Sequence, residues 1–159
     1  MLQYDFESSV GYWIFATAHE FQQKLNEELT KHGITYRQWE VLVWLSFAGE
    51  SSQSELAQRM HIEAPTLVGV LDRMERDGWI TRATDERDRR RKVIRVSPQV
   101  EPVWAQMVDC AKGVRAQAIE GVSEAELQTV RNVLSRMRQN LAGDKVVDRL
   151  ARAVEEPAR

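Results

Sequence analysis

Seven basic residues fall within the fourteen positions from Arg82 to Arg95: Arg82, Arg87, Arg89, Arg90, Arg91, Lys92 and Arg95. Set against Asp85, Glu86 and Asp88, the segment carries +4. The rest of the chain, with 15 basic and 21 acidic residues, carries −6. Guanidinium groups at this density attract polyanion locally, because screening confines the field to about 10 Å. The net charge of −2 on the whole chain does not cancel so compact a spot. A solvated hairpin tip would show the same run of charge. Upstream, Ser52, Ser54 and Thr66 supply hydroxyls close to positions that read as helix starts, where free backbone N–H groups and the helix dipole favour phosphate. Enzyme chemistry has no such anchor. The chain holds no Gly-rich phosphate loop, no GxSxG and no HExxH, so neither an enzyme nor a cofactor is expected. Cys110 is the sole cysteine, and His19, His32 and His61 are the only histidines. An intramolecular disulfide and Cys₄ or Cys₂His₂ zinc sites are thereby excluded, and no metal site is expected.

These residues need a scaffold, and 159 residues with 43% hydrophobic and 29% charged side chains suffice for a packed core. Mean hydropathy is −0.47, and no apolar run approaches the ~18–20 residues that span a membrane. Asp5 and Glu7 stand where a secretory signal would carry Lys or Arg, so a cytoplasmic address is expected. Ile14, Ala18, Phe21, Leu25 and Leu29 step by three or four and mark one long helix, ended by Gly33. Thr35 caps a second helix to about Phe47, apolar almost all round and therefore expected to lie buried. Ser52 to Glu55 fits a capping box, opening a short helix to Met60. After the turn His61-Ile62-Glu63, Pro65 sits at the start of another helix, which turns Leu67, Leu71 and Met74 inward and stops at Gly78. Two β-rich runs, 79–83 and 92–96, enclose the charged segment and read as a hairpin with a basic tip. A helix-turn-helix followed at once by such a hairpin is a winged helix. Val100, Trp104, Met107, Ala111, Val114 and Ala118 mark a further helix, and Ser123 to Glu126 forms another capping box. Leu127, Val130, Leu134, Met137 and Leu141 then alternate steps of three and four, the seam of a helix that pairs. Asp144 is read as the cap of a last helix carrying Val147, Leu150 and Val154.

The stretch from Gly33-Ile34-Thr35-Tyr36 to Ser97 resembles the MarR family of bacterial winged-helix transcription regulators, most nearly its SlyA-like branch. The resemblance is carried by Ser54-Glu55-Leu56-Ala57-Gln58-Arg59-Met60, Pro65-Thr66-Leu67-Val68, Leu71-Asp72-Arg73-Met74-Glu75, Asp77-Gly78-Trp79-Ile80 and Asp88-Arg89-Arg90. It implies a mainly α fold with a small β-hairpin wing: a winged helix-turn-helix flanked by N- and C-terminal dimerisation helices. The expected domains are 1–34 for N-terminal dimerisation, 35–98 for DNA binding and 99–159 for C-terminal dimerisation. The implied function is that of a homodimeric regulator, a repressor, on double-stranded DNA. The proline-led helix would enter the major groove, where base edges are distinguishable, through Pro65 and Thr66, with Arg73 further along. Ser52 and Ser54 would meet phosphate. In the wing the family places an arginine in the minor groove, here Arg90, with Asp88 holding its guanidinium. Arg87, Arg89, Arg91 and Lys92 would add phosphate contacts, which fix register more than sequence. Where close relatives often carry a basic or polar side chain one turn after Thr66, this chain has Gly69.

Family members are commonly released from DNA by small aromatic acids or phenols. Trp13, His19, Tyr36, Arg37 and Trp39 are the candidate ligand residues, aromatic walls with one cation suiting a salicylate-like anion. Aromatics at helical spacing serve as core more often than as ligand walls. Cys110 lies far from the chain start, where peroxide-sensing relatives keep their cysteine, and reads as structural. The competing reading is a winged helix that docks protein without binding an operator.

Overall fold

The computed structural model describes residues 5, 6, 8–85, 88 and 90–142. The chain falls into two compact units, Met1–Ala118 and Ile119–Arg159. In the first unit the order is α1 (Val10–Thr30), α2 (Tyr36–Ala48), α3 (Gln53–Arg59), α4 (Ala64–Arg76), β1 (Ile80–Thr84), β2 (Lys92–Val96), a 3-10 turn (Pro98–Val100) and α5 (Glu101–Ala118). The second unit holds α6 (Glu124–Ala142).

Each boundary has a local cause. Past the end of α1, Gly33 adopts φ +72°, and Ile34 N–H then donates back to the Leu29 carbonyl at 3.1 Å. At the start of α2, Thr35 N–H donates to Gln38 Oε1 at 2.8 Å while Gln38 N–H donates to Thr35 Oγ1 at 3.3 Å, a complete capping box. Ser52 and Glu55 do the same for α3. Between α3 and α4 the tight turn is made by His61 at φ 52°, the one left-handed residue other than glycine among those described. Pro65 occupies the first turn of α4, where its missing N–H costs nothing.

The core of the first unit gathers Leu56 of α3, Leu67, Leu71 and Met74 of α4, and Ile80 and Ile94 of the hairpin beneath Val41, Leu42 and Leu45 of α2. Leu25 and Leu29 of α1 and Met107 and Val114 of α5 join the same cluster. The expected burial of α2 is corrected in part. Val43 and Trp44 are only half-buried and Phe47 is exposed, because neighbours cover one side of the helix. Trp39, partly buried against the core, stacks on Trp104 of α5, with ring centres 5.2 Å apart and planes 18° apart.

β1 and β2 pair antiparallel, from Ile80 opposite Val96 to Thr84 opposite Lys92. The hairpin also has a third partner. Ser51, in the α2–α3 loop, bridges Ile94, whose N–H reaches the Ser51 carbonyl at 2.8 Å. In α6 the Ser123–Glu126 box forms as read. Its apolar seam is open: Val130 is 51% exposed, Leu134 38% and Leu141 86%. The helix read from Asp144 through Val147, Leu150 and Val154 lies outside the described residues.

Candidate nucleic-acid interface

Among the described residues, Arg82, Arg91 and Arg95 of the wing differ in their partners from Arg73 and Arg90. The first three are tied to carboxylates. Arg82 of β1 donates from Nη1 to Glu75 and from Nη2 to Asp72 Oδ1 at 2.6 Å, both on α4. Arg95 of β2 pairs with Glu50 at 2.7 Å. Arg91, at the base of the wing, donates to Glu55 of α3 and to Asp85 Oδ2 at 3.0 Å. By contrast, the side chains of Arg73 on α4 and Arg90 at the wing tip are exposed and have no polar partner among the described residues. Paired guanidiniums have already exchanged water for protein, whereas Arg73 and Arg90 still offer all their donors.

The recognition-type surface on α4 is equally open. Pro65, Thr66, Val68 and Gly69 are exposed, and no side chain caps the helix start at Glu63. Pro65 has no N–H and the Thr66 N–H donates to the Glu63 carbonyl at 3.0 Å, so what this helix start offers an anion is chiefly the positive end of its dipole. At Gly69 an added Cβ would meet nothing within 4 Å, so intramolecular crowding does not explain the glycine.

Several side chains differ from the sequence expectation. The Asp88 carboxylate accepts the backbone N–H of Arg90 at 2.9 Å, so it shapes the tip turn rather than gripping the guanidinium. Arg91 spends both terminal nitrogens on the protein and does not stand free for phosphate. Lys92 Nζ donates to Thr84 Oγ1 at 2.7 Å across the hairpin. The Ser52 hydroxyl is engaged in the α3 cap and lies 3.1 Å from Ser54 Oγ, with Ser54 itself exposed. Arg87 and Arg89 lie outside the described residues. The clamping roles of Asp72, Glu75, Arg82 and Glu55 were not read from the sequence. The only available hint was acidic residues on α4 one turn apart, facing an arginine just past the helix end.

Glu55 is held below the usual carboxylate range, chiefly by the Ser52 backbone N–H; burial opposes this, and the Ser52 hydroxyl and Arg91 add to the lowering. The Arg91 guanidinium is pushed up, chiefly by its bond to Glu55.

Of the candidate ligand residues, His19, Tyr36 and Arg37 line one open pocket of about 320 Å³ between α1 and α2. Arg37 is bound there to Glu40 at 2.6 Å, and burial raises the Tyr36 phenol. The structure does not bring the two indoles to that pocket. Trp39 stacks on Trp104 instead, and Trp13 is 58% exposed against the edge of Tyr12. Cys110 is half-buried on α5, and burial pushes its thiol pKa up, away from thiolate reactivity. Among the described residues no group of three or more His, Cys, Asp and Glu could hold a metal ion. No helix there is long and apolar enough to cross a membrane.

Comparison with known proteins places this geometry. The MarR family model matches residues 34–92, from the end of the α1–α2 turn into β2. The solved transcriptional regulator PA3341 is similar at 31% identity and a TM-score of 0.74, with 84% of this chain and 98% of that one covered. The fold is shared with apo MarR from E. coli at a TM-score of 0.73 and 21% identity, over 81% of this chain and 96% of that one. A mutant E. coli MarR complexed with operator DNA matches at a TM-score of 0.70 and 21% identity, over 80% of this chain and 92% of that one. A matching family segment across the helix pair and hairpin, together with near-complete coverage of a regulator at this identity, shows that the chain belongs to the MarR family of transcriptional regulators.

Proposed function

We propose that this chain is a homodimeric, sequence-specific regulator of the SlyA-like branch that binds double-stranded DNA and acts as a repressor. α4 enters the major groove with Pro65 and Thr66 leading, and Arg90 enters the adjacent minor groove. Arg73 and the exposed Ser54 meet backbone phosphate, with Lys92 and the residues Arg87 and Arg89 contributing at the wing. Residues 35–98 form the DNA-binding part, and 1–34 and 99–159 serve dimerisation. Two copies related by a two-fold axis present their α4 helices about 34–36 Å apart and read a pseudo-palindrome. A small aromatic acid seated near His19, Tyr36 and Arg37 releases the complex.

One observation carries this reading. Among the described residues, Arg82, Arg91 and Arg95 are paired with carboxylates, whereas Arg73 in the last turn of α4 and Arg90 on the wing keep unpaired guanidiniums, and the start of α4 has no side-chain cap. The likeness of the fold to an operator-bound MarR mutant supports it.

Gel shift against DNA from upstream of the chain's own coding region is the test. Specific binding is expected, with Arg90→Ala lowering affinity and making the salt slope shallower by about one. Binding indifferent to DNA sequence, or unaltered by Arg90→Ala, rejects the operator reading in favour of a protein-docking winged helix. Salicylate added to the formed complex is expected to release it at millimolar concentration; no release rejects that ligand class.

A further inference from the structure

Arg91 divides its guanidinium between two elements. Nη1 donates to Asp85 Oδ2 at 3.0 Å, across the base of the wing, and Nη2 donates to Glu55 in the first turn of α3, 36 residues away in sequence. The same Glu55 oxygen, Oε2, accepts the Ser52 N–H at 2.7 Å and the Ser52 hydroxyl at 2.9 Å. One carboxylate therefore closes the start of α3 and holds the wing. The backbone converges at the same place. Asp85 N–H donates to the Arg91 carbonyl at 2.9 Å, and Arg91 N–H donates to the Asp88 carbonyl at 2.9 Å.

Two strands of five residues hold no fixed direction by themselves, because an isolated hairpin is marginal in water. The middle of β1 is anchored by Arg82 to Asp72 and Glu75, and the middle of β2, directly opposite, by the Ser51–Ile94 bridge. Among the described residues, neither anchor reaches Asp85, Asp88, Arg90 or Arg91. The Arg91 fork binds Asp85 directly. A guanidinium suits this task, since it stays charged and its planar donors reach two carboxylates at once; one ammonium does this poorly.

We propose that Arg91, Glu55 and Asp85 form a latch that sets the direction of the wing against the α3–α4 pair, so that Arg91 is a positioning residue for nucleic-acid binding and not a phosphate contact. The proposal rests on the DNA-binding reading above. The sign of one substitution separates it from plain electrostatics. Glu55 is an anion beside the surface that would face DNA. Removing its charge strengthens binding to a polyanion if the wing stays in place. A latch requires the opposite.

The experiment compares Glu55→Gln, Arg91→Gln and the double variant in the full chain. Glutamine at position 55 keeps the acceptor that the capping box needs, and thermal midpoints verify that each variant is folded. The first readout needs no DNA. Amide hydrogen exchange in peptides covering 80–96 is expected to speed up several-fold in either single variant, with the double no faster, while peptides of α4 are unchanged. The second is DNA affinity against salt. Glu55→Gln is expected to weaken binding several-fold despite the lost negative charge. Arg91→Gln is expected to weaken it by a similar factor at unchanged salt slope. Unaltered exchange in the wing overturns the latch. Tighter binding by Glu55→Gln, unchanged affinity in both single variants, or a slope reduced by about one in Arg91→Gln overturns the positioning role. A wild-type chain that binds no DNA removes the positioning role with the regulator reading, while the exchange measurement still decides whether the latch exists.

Discussion

Gly69 and Gly78 look alike in sequence and differ in physical role. Gly78 follows α4 at φ +76°, where any L side chain is strained, and an added Cβ would also come within 2.5 Å of Gln99 Oε1. Gly69 has ordinary helical geometry and open space around it. Gly78→Ala is therefore expected to destabilise the fold by about 1–2 kcal/mol. Gly69→Ala is expected to stabilise it by up to about 1 kcal/mol, since alanine is the better helix former. Urea denaturation measures both. On the DNA-binding reading Gly69 lets the α4 backbone approach the groove closely, so the stabler Gly69→Ala is expected to bind DNA less tightly. Undiminished affinity would show that α4 does not approach DNA at this position.

At the scale of elements, the hairpin and the helix pair are joined by charge as well as by core. Ile80 and Ile94 bury against Leu67, Leu71 and Met74, while Arg82 and Arg91 bind carboxylates on α4 and α3. Glu55 links this arrangement to pH. Its folded pKa is depressed, so the stability it contributes is fully present above its unfolded value of about 4.3. That stability falls as pH drops through the lower folded pKa. Wild type is expected to lose stability on acidification below about pH 4.5, and Glu55→Gln to lose less over the same window. Parallel pH–stability curves for the two proteins would show that Glu55 makes no such contribution. Glu126, depressed by the Ser123 hydroxyl and N–H, adds to the acid loss of both proteins equally.

At the scale of the molecule, apolar surface remains uncovered in each unit. In the first, Phe15 is 79% exposed and Val10 55%, beside Trp13 and Tyr12 on the N-terminal half of α1. In the second, the α6 seam is open along Val130, Leu134 and Leu141. Apolar side chains left open in this way are available to a partner surface. If a second copy covers them, sedimentation at micromolar concentration gives twice the 18.4 kDa chain mass, and the thermal midpoint rises with protein concentration. A monomer with a concentration-independent midpoint would reject the homodimer.

Local signals in the sequence determined the helix boundaries, the capping boxes at Thr35, Ser52 and Ser123, the inward face of α4 and the hairpin with its basic tip. They were legible because a cap, a turn glycine or an apolar period acts within four residues of itself. The winged-helix family was legible for the same reason, since its carrying motifs are short and keep their order. Other features were decided only by tertiary structure. Arg82, Arg90 and Arg91 are the same residue type in one charged run, and which of them is neutralised depends on carboxylates brought in from α3 and α4. The one-sided burial of α2 and the departure of Trp39 from the His19–Tyr36–Arg37 pocket likewise depend on what packs alongside. Composition counts charges, but only folding determines which opposite charges lie within hydrogen-bonding distance, and therefore which cations remain free.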